Sequence, residues 1–285
     1  MLQTIVVGLV EGGVYALSAV GLVLIFSVAG VANLAHGESV VVGGLVAYAA
    51  GTYAHVPYVL SIVVGAAAAT VLGLILSLVF DRLRDAAETG VLMASLGLIL
   101  IIEAFGVTVF GDEPKSVPAA PGHVLDLGGV RIPAVWAVIV VTAFVLTGLL
   151  RLYISASRPG RAMRAMAMNP YAATLMGIAR RRYAMLAFAI GSCVAGIAGA
   201  LLASAFPIGA TSGEDIAFKA FIVIIFAGLG SIGGALAGGL LLGVIGAVAS
   251  SYIDSGYANT FLFAFLLIVI VLRPNGLFGV NVARD

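Results

Sequence analysis

Long apolar stretches separated by short polar connections dominate the pattern of the chain. The stretches lack the period-two alternation of outer-membrane barrel strands, and most are long enough to cross a bilayer as a helix, which takes roughly 20 residues. The pattern predicts helices at residues 2–30, 39–55, 58–80, 90–110, 133–155, 184–206, 219–250 and 259–272. We therefore expect an all-α polytopic membrane bundle of about eight spans, formed by residues 1–285 as a single domain.

The seventh stretch has a glycine-rich interruption, Gly228-Leu229-Gly230-Ser231-Ile232-Gly233-Gly234. Non-helical backbone at membrane depth is tolerated where protein or water satisfies its polar groups, so the pattern predicts a broken or re-entrant segment. A single crossing would place Arg273 and Arg284 on the side opposite the main basic loop. A segment that enters and returns on one side places them on the same side, and we favour this arrangement.

Composition excludes several classes of protein. Of the 285 residues, 62% are hydrophobic and 9% are charged, whereas soluble domains average about 25% charged residues. The single cysteine excludes an internal disulfide framework, and the three histidines are scattered, so we expect no metal and no cofactor. The near-neutral net charge of +1 gives no reason to expect a nucleic-acid partner. No cluster of catalytic spacing occurs, so we expect no enzyme.

One connection is strongly basic. Seven of the fourteen basic residues lie between Arg151 and Arg182, with no acid among them, which predicts a cytoplasmic loop, and the short loop with Arg82 and Arg84 falls on the same side. Counting spans back from these loops places the N-terminus outside.

Within a loop at about 156–183, the sequence predicts two short helices. Pro159-Gly160 can begin the first, Pro170 suits the first turn of the second, and Gly177 can end it. Arginines would lie on one side of these helices; the apolar side would carry Met163, Met166, Leu175 and Met176. Such an element lies on anionic lipid or docks into a cytoplasmic partner, and the pattern alone leaves both open.

Small residues recur at four-residue spacing in three of the predicted helices, which favours close helix packing in a membrane. The rows are Gly8-Gly12-Ala16, Gly191-Ala195-Gly199-Ala203 and Gly230-Gly234-Gly238.

Ionisable residues occur inside the apolar stretches, where they usually face a bundle interior or a water-filled path. Glu11, Tyr15 and Ser18 form a polar stripe on the first helix, and Glu103 lies in the fourth. Two roles stay open for these residues: they line a translocation route, or they only stabilise the packing of neighbouring helices. Asn33 and Glu38 flank a helix end beside His36, where Asn33 or Glu38 could cap the exposed N–H groups.

Several motifs together resemble the permease of high-affinity branched-chain amino acid ABC importers. The resemblance covers nearly the whole chain and is carried by four segments: Gly13-Val14-Tyr15-Ala16-Leu17, Asn33-Leu34-Ala35-His36-Gly37-Glu38, Gly160-Arg161-Ala162-Met163-Arg164-Ala165 with Asn169 and Gly177-Ile178, and Gly228 to Ala235. The Ala-His-Gly-Glu form resembles the shorter of the two permease subunits of such systems.

The resemblance implies a multi-pass protein of the bacterial inner membrane. Its partners would be two cytoplasmic ATPase subunits, a second permease that makes a homodimer or heterodimer, and an extracytoplasmic substrate-binding protein. No nucleotide-binding P-loop occurs in this chain. The route residues would be Glu11, Tyr15, Ser18, Asn33, His36, Glu38, Glu103 and Ser231. The residues that couple to the ATPase would be Arg158, Gly160, Arg161, Arg164, Asn169 and Gly177.

Two alternatives stay open. Similar permeases serve urea, short amides or other small organic solutes. An ion-driven secondary transporter would also be all-helical with broken spans.

Overall fold

A computed structural model describes residues 1–83, 87–117, 124–127, 130–228, 230–252, 258–273 and 276. Arg84, Leu229 and Arg284 of the predictions above lie outside these residues. The helices are α1 (Leu2–Ala29), α2 (His36–Thr52), α3 (Tyr58–Arg82), α4 (Glu88–Phe110), α5 (Ala134–Ala156), α6 (Arg158–Met168), α7 (Pro170–Leu175), α8 (Arg180–Ala205), α9 (Gly213–Ala227), α10 (Ile232–Tyr252) and α11 (Ala258–Leu272).

The predicted helical membrane bundle is confirmed. Six helices are long and apolar enough to cross a bilayer, namely α1, α3, α4, α5, α8 and α10. Three more apolar helices are shorter, α2 with 17 residues and α9 and α11 with 15 each. The connection between α4 and α5 also contains an antiparallel hairpin of two four-residue strands, β1 (Val124–Leu127) and β2 (Val130–Pro133).

Small residues bring α1 and α10 into close contact, as their spacing predicts. A Cβ added at Gly12 would meet the backbone of Gly239 and Leu240, and one added at Gly239 would meet Ala16. The row on α10 that contacts α1 contains Gly239 and Gly243, which do not belong to the predicted row of Gly230, Gly234 and Gly238. Gly238 faces Phe226 of α9, because one position along a helix turns the side chain by about 100°.

Helix α8 occupies the centre of the bundle and packs against α1, α2 and α3. Gly191 lies against Gly21 of α1, Gly199 against Val40 of α2, and Gly196 against Ala66 and Ala69 of α3. Two residues of the predicted row, Gly191 and Gly199, therefore contact two different helices, and Gly196, which is outside that row, contacts a third. They place α8 beside α1, which carries Glu11, Tyr15 and Ser18, and beside α2, which begins with His36.

The second helix begins in the middle of the bundle. His36, its first residue, contacts the carbonyl of Ser18, so the chain folds back along α1 after Gly30. Twelve helical residues from Ser18 to Gly30 span about 18 Å, and six extended residues cover about 20 Å, which matches the return. The predicted span 39–55 starts three residues too late, because His36 to Glu38 form the first turn of α2.

Helices α9 and α10 form an antiparallel hairpin, and Gly228, Gly230 and Ser231 lie in the turn between them. Gly238 packs against Ala227 and Phe226, and Leu242 lies beside Ile222 and Lys219. The turn lies at the arginine-rich end, since Gly230 shares a cavity with Arg164 and Arg180.

The predicted broken segment is confirmed in this form, with α9 beginning at Gly213 rather than at residue 219. After α11 the backbone of Gly276 packs against Gly228. Arg273 therefore lies at the end that carries the basic loop, as the re-entrant arrangement predicts.

Candidate functional site

The basic loop forms two short capped helices. The Ser157 hydroxyl accepts a hydrogen bond from the Gly160 N–H at 2.9 Å, and the Asn169 side-chain oxygen accepts one from the Ala172 N–H at 2.9 Å. Side-chain oxygens at these positions satisfy N–H groups that the first turn leaves free. Gly177 follows α7 with a φ of 82°, a conformation that glycine adopts without strain. The predicted starts of both helices and the predicted end of α7 are confirmed.

The apolar side chains of this element divide into two groups. Met163 and Met166 of α6 are fully buried in the core of the bundle, so the prediction that they face lipid or a partner together with Leu175 and Met176 is wrong. Leu175 and Met176 are 71% and 83% exposed, so they stay accessible to lipid or to a partner, as the amphipathic pattern predicts. Helix α7 has only six residues, too few turns to lay a complete face on the bundle, and only Ala173 is buried.

Four large apolar side chains of α7 and its flanks are exposed, and we call them together the α7 patch: Met168, Tyr171, Leu175 and Met176. Large apolar side chains that are this exposed outside the spans mark an interaction surface. The patch lies at the arginine-rich end of the molecule. The element therefore presents its apolar surface outward, away from the bundle.

Arginines fasten α6 to the end of α5. Arg161 donates to the Ala156 carbonyl at 3.0 Å and Arg164 to the Ser155 carbonyl at 3.3 Å. Cations suit the C-terminal end of a helix, where carbonyls lack intrahelical partners. Gly160 packs closely on the backbone of Tyr153 and Ile154. Helix α6 is thus held against the end of α5, while Arg158 remains exposed.

A buried carboxyl lies where two helices begin. Glu38 is in the first turn of α2, is 1% exposed, and faces Gly213, the first residue of α9. The positive ends of both helix dipoles therefore act on this carboxyl. Neither of its oxygens has a hydrogen-bond partner among the described residues. Glu103 of α4 and Glu214 of α9 lie within electrostatic range of it.

The predicted capping role of Asn33 and Glu38 is wrong. Helix α2 has Ala35 at its N-cap position with no side-chain cap. Backbone carbonyls bind the first N–H groups instead, Asn33 that of His36 at 3.3 Å and Ala35 that of Glu38 at 3.2 Å, in the tight pattern common at helix ends. The side chain of Asn33 is fully buried and unpartnered within the described part of the chain.

The imidazole of His36 connects α2 to α1. Its Nε2–H donates to the Ser18 carbonyl at 3.1 Å, and both residues are fully buried. The early motif thus places His36 toward α1 and Glu38 toward α9. Two residues of one motif face different helices because they are two positions apart on a helix.

A charged cluster, which we call the Lys219 cluster, connects α1, α9 and α11. The Lys219 ammonium lies 2.6 Å from the Asp215 carboxylate and 5.2 Å from the centre of the Tyr15 ring. Asn259 donates to Asp215 at 3.1 Å, and Glu11 is within electrostatic range of Lys219. Glu11 and Tyr15 of the predicted stripe are therefore together, whereas Ser18 lies with His36.

One further predicted residue, Ser231, and three residues that the sequence analysis did not single out also have defined positions. Ser231 lies at the arginine-rich end, where its hydroxyl accepts from the Gly234 N–H at 3.0 Å and caps α10. Glu214, Asp215 and Lys219 were missed because the predicted span starts at residue 219, after the first turn of α9. The sequence did contain a signal for this cluster: two acids stand four and five residues before a lysine at the edge of an apolar stretch, a spacing that allows an ion pair on a helix.

Known proteins match this chain along nearly its whole length. BraD of Pseudomonas aeruginosa, a high-affinity branched-chain amino acid transport system permease protein, is 32% identical over 293 residues, which cover 98% of this chain and 95% of BraD. LivH of Escherichia coli K12, which has the same description, is 29% identical with the same coverage. The probable permease LivH of Methanocaldococcus jannaschii is 27% identical and covers 96% of this chain.

A solved structure, PsaBC from Streptococcus pneumoniae in complex with Fab, has a similar fold. Its TM-score is 0.51 at 14% identity, with 94% of this chain and 91% of that chain covered. This likeness supports the helical architecture alone. A model of the family described as branched-chain amino acid transport system, permease component, matches residues 4–272. The chain is therefore a multi-pass transport subunit and belongs to the branched-chain amino acid transport permease family.

Proposed function

We propose that this chain is the membrane-spanning permease of an ATP-driven importer that carries branched-chain aliphatic amino acids across a bacterial inner membrane. Permeases of this kind work with separate ATPase and substrate-binding subunits. Two ATPase subunits and a second permease, identical or related, complete the complex that we propose. The observation that supports the proposal best is the exposed α7 patch beside the arginines of α6, a surface to which a cytoplasmic ATPase subunit could bind.

The alternative role of this element, lying on anionic lipid, fits the structure less well. A helix that lies on a membrane directs its apolar side into the lipid and its arginines to the headgroups. Here Met163 and Met166 already pack on the bundle, and α6 is fastened to α5 by Arg161 and Arg164. The outward apolar surface is left to α7, at the tip of the element, where it fits a groove on an ATPase.

The pair Leu175→Gln and Met176→Gln tests the docking surface. Both side chains are more than two-thirds exposed, so the change leaves folding intact while it removes apolar contact area. Burial of such side chains is worth about 1.5–3 kcal/mol each, so we expect substrate-stimulated ATP hydrolysis in the reconstituted complex to fall at least tenfold. Tyr252→Gln, an exposed apolar position at the other end of the bundle, is the matched control. Unchanged stimulation in the double variant would contradict the docking role.

The substrate route, in our proposal, follows the faces of α2, α4 and α9 that carry Glu38, Glu103 and Glu214. Helix α4 packs on α2 and α9, and Leu98 and Ile102 pack on a cluster formed by α1, α3 and α8. Its other side is open, since apolar side chains such as Leu100, Ile101 and Phe105 are two-thirds exposed. A second permease against α4 would close the route on its open side. The carboxylates would then face the ammonium group of a passing amino acid, while the aliphatic walls accept its side chain.

Glu38→Gln tests the route. The amide keeps the size of the side chain but loses the charge that attracts an ammonium group, and a charge-assisted hydrogen bond is worth about 1.5–3 kcal/mol. We expect leucine uptake to fall at least tenfold in a complex that assembles normally. Glu113→Gln, at a carboxyl that is 91% exposed, keeps parental uptake. Parental uptake by Glu38→Gln, with assembly verified, would make Glu38 a packing residue.

A further inference from the structure

The outer side of α8 bears an apolar groove next to α3. The groove has a volume of about 610 Å³ and is lined by Leu74 of α3 and by Met185 and Ala189 of α8. Arg181 and Arg182 close one end of it. The groove therefore has an apolar floor and a basic end, and it follows the helix into the membrane.

A second groove lies on the other side of α8, against α5. Its volume is about 410 Å³, and it is lined by Leu149 and Tyr153 of α5 with Ile190 of α8. Leu186 lines both grooves. Because Arg182, Leu186 and Ile190 are four residues apart, they form one ridge along the helix. Two apolar channels thus run on either side of a ridge that begins with an arginine.

The charge at the start of this ridge is positive. Arg181 contacts Asp81 at 3.2 Å, yet 64% of its side chain stays exposed. Arg182 is exposed and forms no ion pair with any residue that the structure describes. The positive end of the α8 dipole adds to this charge. In the proposed orientation, the two arginines lie at the level of the headgroups of the inner leaflet.

We propose that the ridge of α8 binds an anionic diacyl phospholipid. The phosphate lies against Arg182 and the exposed side of Arg181, and one acyl chain follows each groove, with Leu186 between the chains. Basic pockets between helices on the cytoplasmic side of a membrane favour such headgroups. A zwitterionic lipid fills the same grooves but gains less from the arginines. The paired channels fit two chains better than they fit the flat side of another protein.

The full chain, purified from a membrane and equilibrated with equal amounts of phosphatidylglycerol and phosphatidylcholine, tests the site by native mass spectrometry of retained lipid. We expect the parental chain to retain phosphatidylglycerol preferentially. Arg182→Gln should lower that retention roughly fivefold and leave phosphatidylcholine unchanged. Arg151→Gln removes an exposed arginine at the same end of the molecule that lines neither groove, and it should have no effect.

Ala189→Phe fills the first groove without a change of charge, and Leu149→Phe narrows the second; each should lower retention of both lipids. Either variant is informative if the other fails to fold. Unchanged phosphatidylglycerol retention in Arg182→Gln, or unchanged retention in a folded groove variant, would overturn the proposal. Loss of permease pairing in a groove variant would also overturn it, because the grooves would then hold a second permease.

Discussion

Some polar side chains in this bundle have partners within the described part of the chain, and others do not. Lys219 has Asp215, Tyr15 and Glu11 around it, whereas the oxygens of Glu38 lack a partner among the described residues. A buried polar group without a partner costs free energy. We therefore propose a structural role for the Lys219 cluster, and Glu38 as the better candidate for a group that meets a passing substrate; the prediction that Glu11 and Tyr15 line the route stays a prediction.

Lys219→Met tests the structural role of the cluster. The change leaves Asp215 and Glu11 close together without their cation, and because Asp215 is half exposed the loss is about 1 kcal/mol. Thermal unfolding of the purified chain should shift downward by about 3 °C. The further change Asp215→Asn should recover most of the shift. Lys115→Met, whose partner Glu113 is 91% exposed, is the control, and an equal shift there would argue against the cluster.

The sequence pattern predicts that the helices exist far better than it predicts the residues at which they begin. Apolar length predicts the long helices to within a few residues, and proline and glycine predict the ends of α6 and α7. The start of α2 at His36 and that of α9 at Gly213 depend on neighbours that are distant in sequence, α1 for the first and Glu38 for the second. The burial of Met163 and Met166 likewise depends on how α6 packs on the bundle, which periodicity does not encode.

Gly243→Val tests the packing of α1 on α10. An added side chain would meet the backbone of Gly8 and Gly12, which cannot move without separating the two helices. Such overpacking costs about 1–3 kcal/mol or more, so we expect a severalfold loss of folded protein in the membrane. Gly148→Val adds the same side chain on α5, where nothing lies within 4 Å, and should be tolerated. Equal yields of the two variants would show that close approach is dispensable here.

At the scale of the whole molecule, the features fall into two groups along the membrane normal. The arginine-rich end holds α6, α7, the α9–α10 turn and Gly276, while Glu38 and the Lys219 cluster lie deeper in the bundle. A motor at that end would move α6 and, through Arg161 and Arg164, α5. The proposed coupling requires this end to face the cytoplasm, where ATP is available.

The most direct test is the accessibility of engineered thiols in intact cells. In a Cys193→Ser background, Met176→Cys places a thiol on the α7 patch, and Ala54→Cys places one in the exposed connection between α2 and α3 at the opposite end. With an impermeant maleimide, we expect Ala54→Cys to react in intact cells and Met176→Cys to react only after permeabilisation. Reaction of Met176→Cys in intact cells would place the α7 patch outside and contradict an ATPase as its partner.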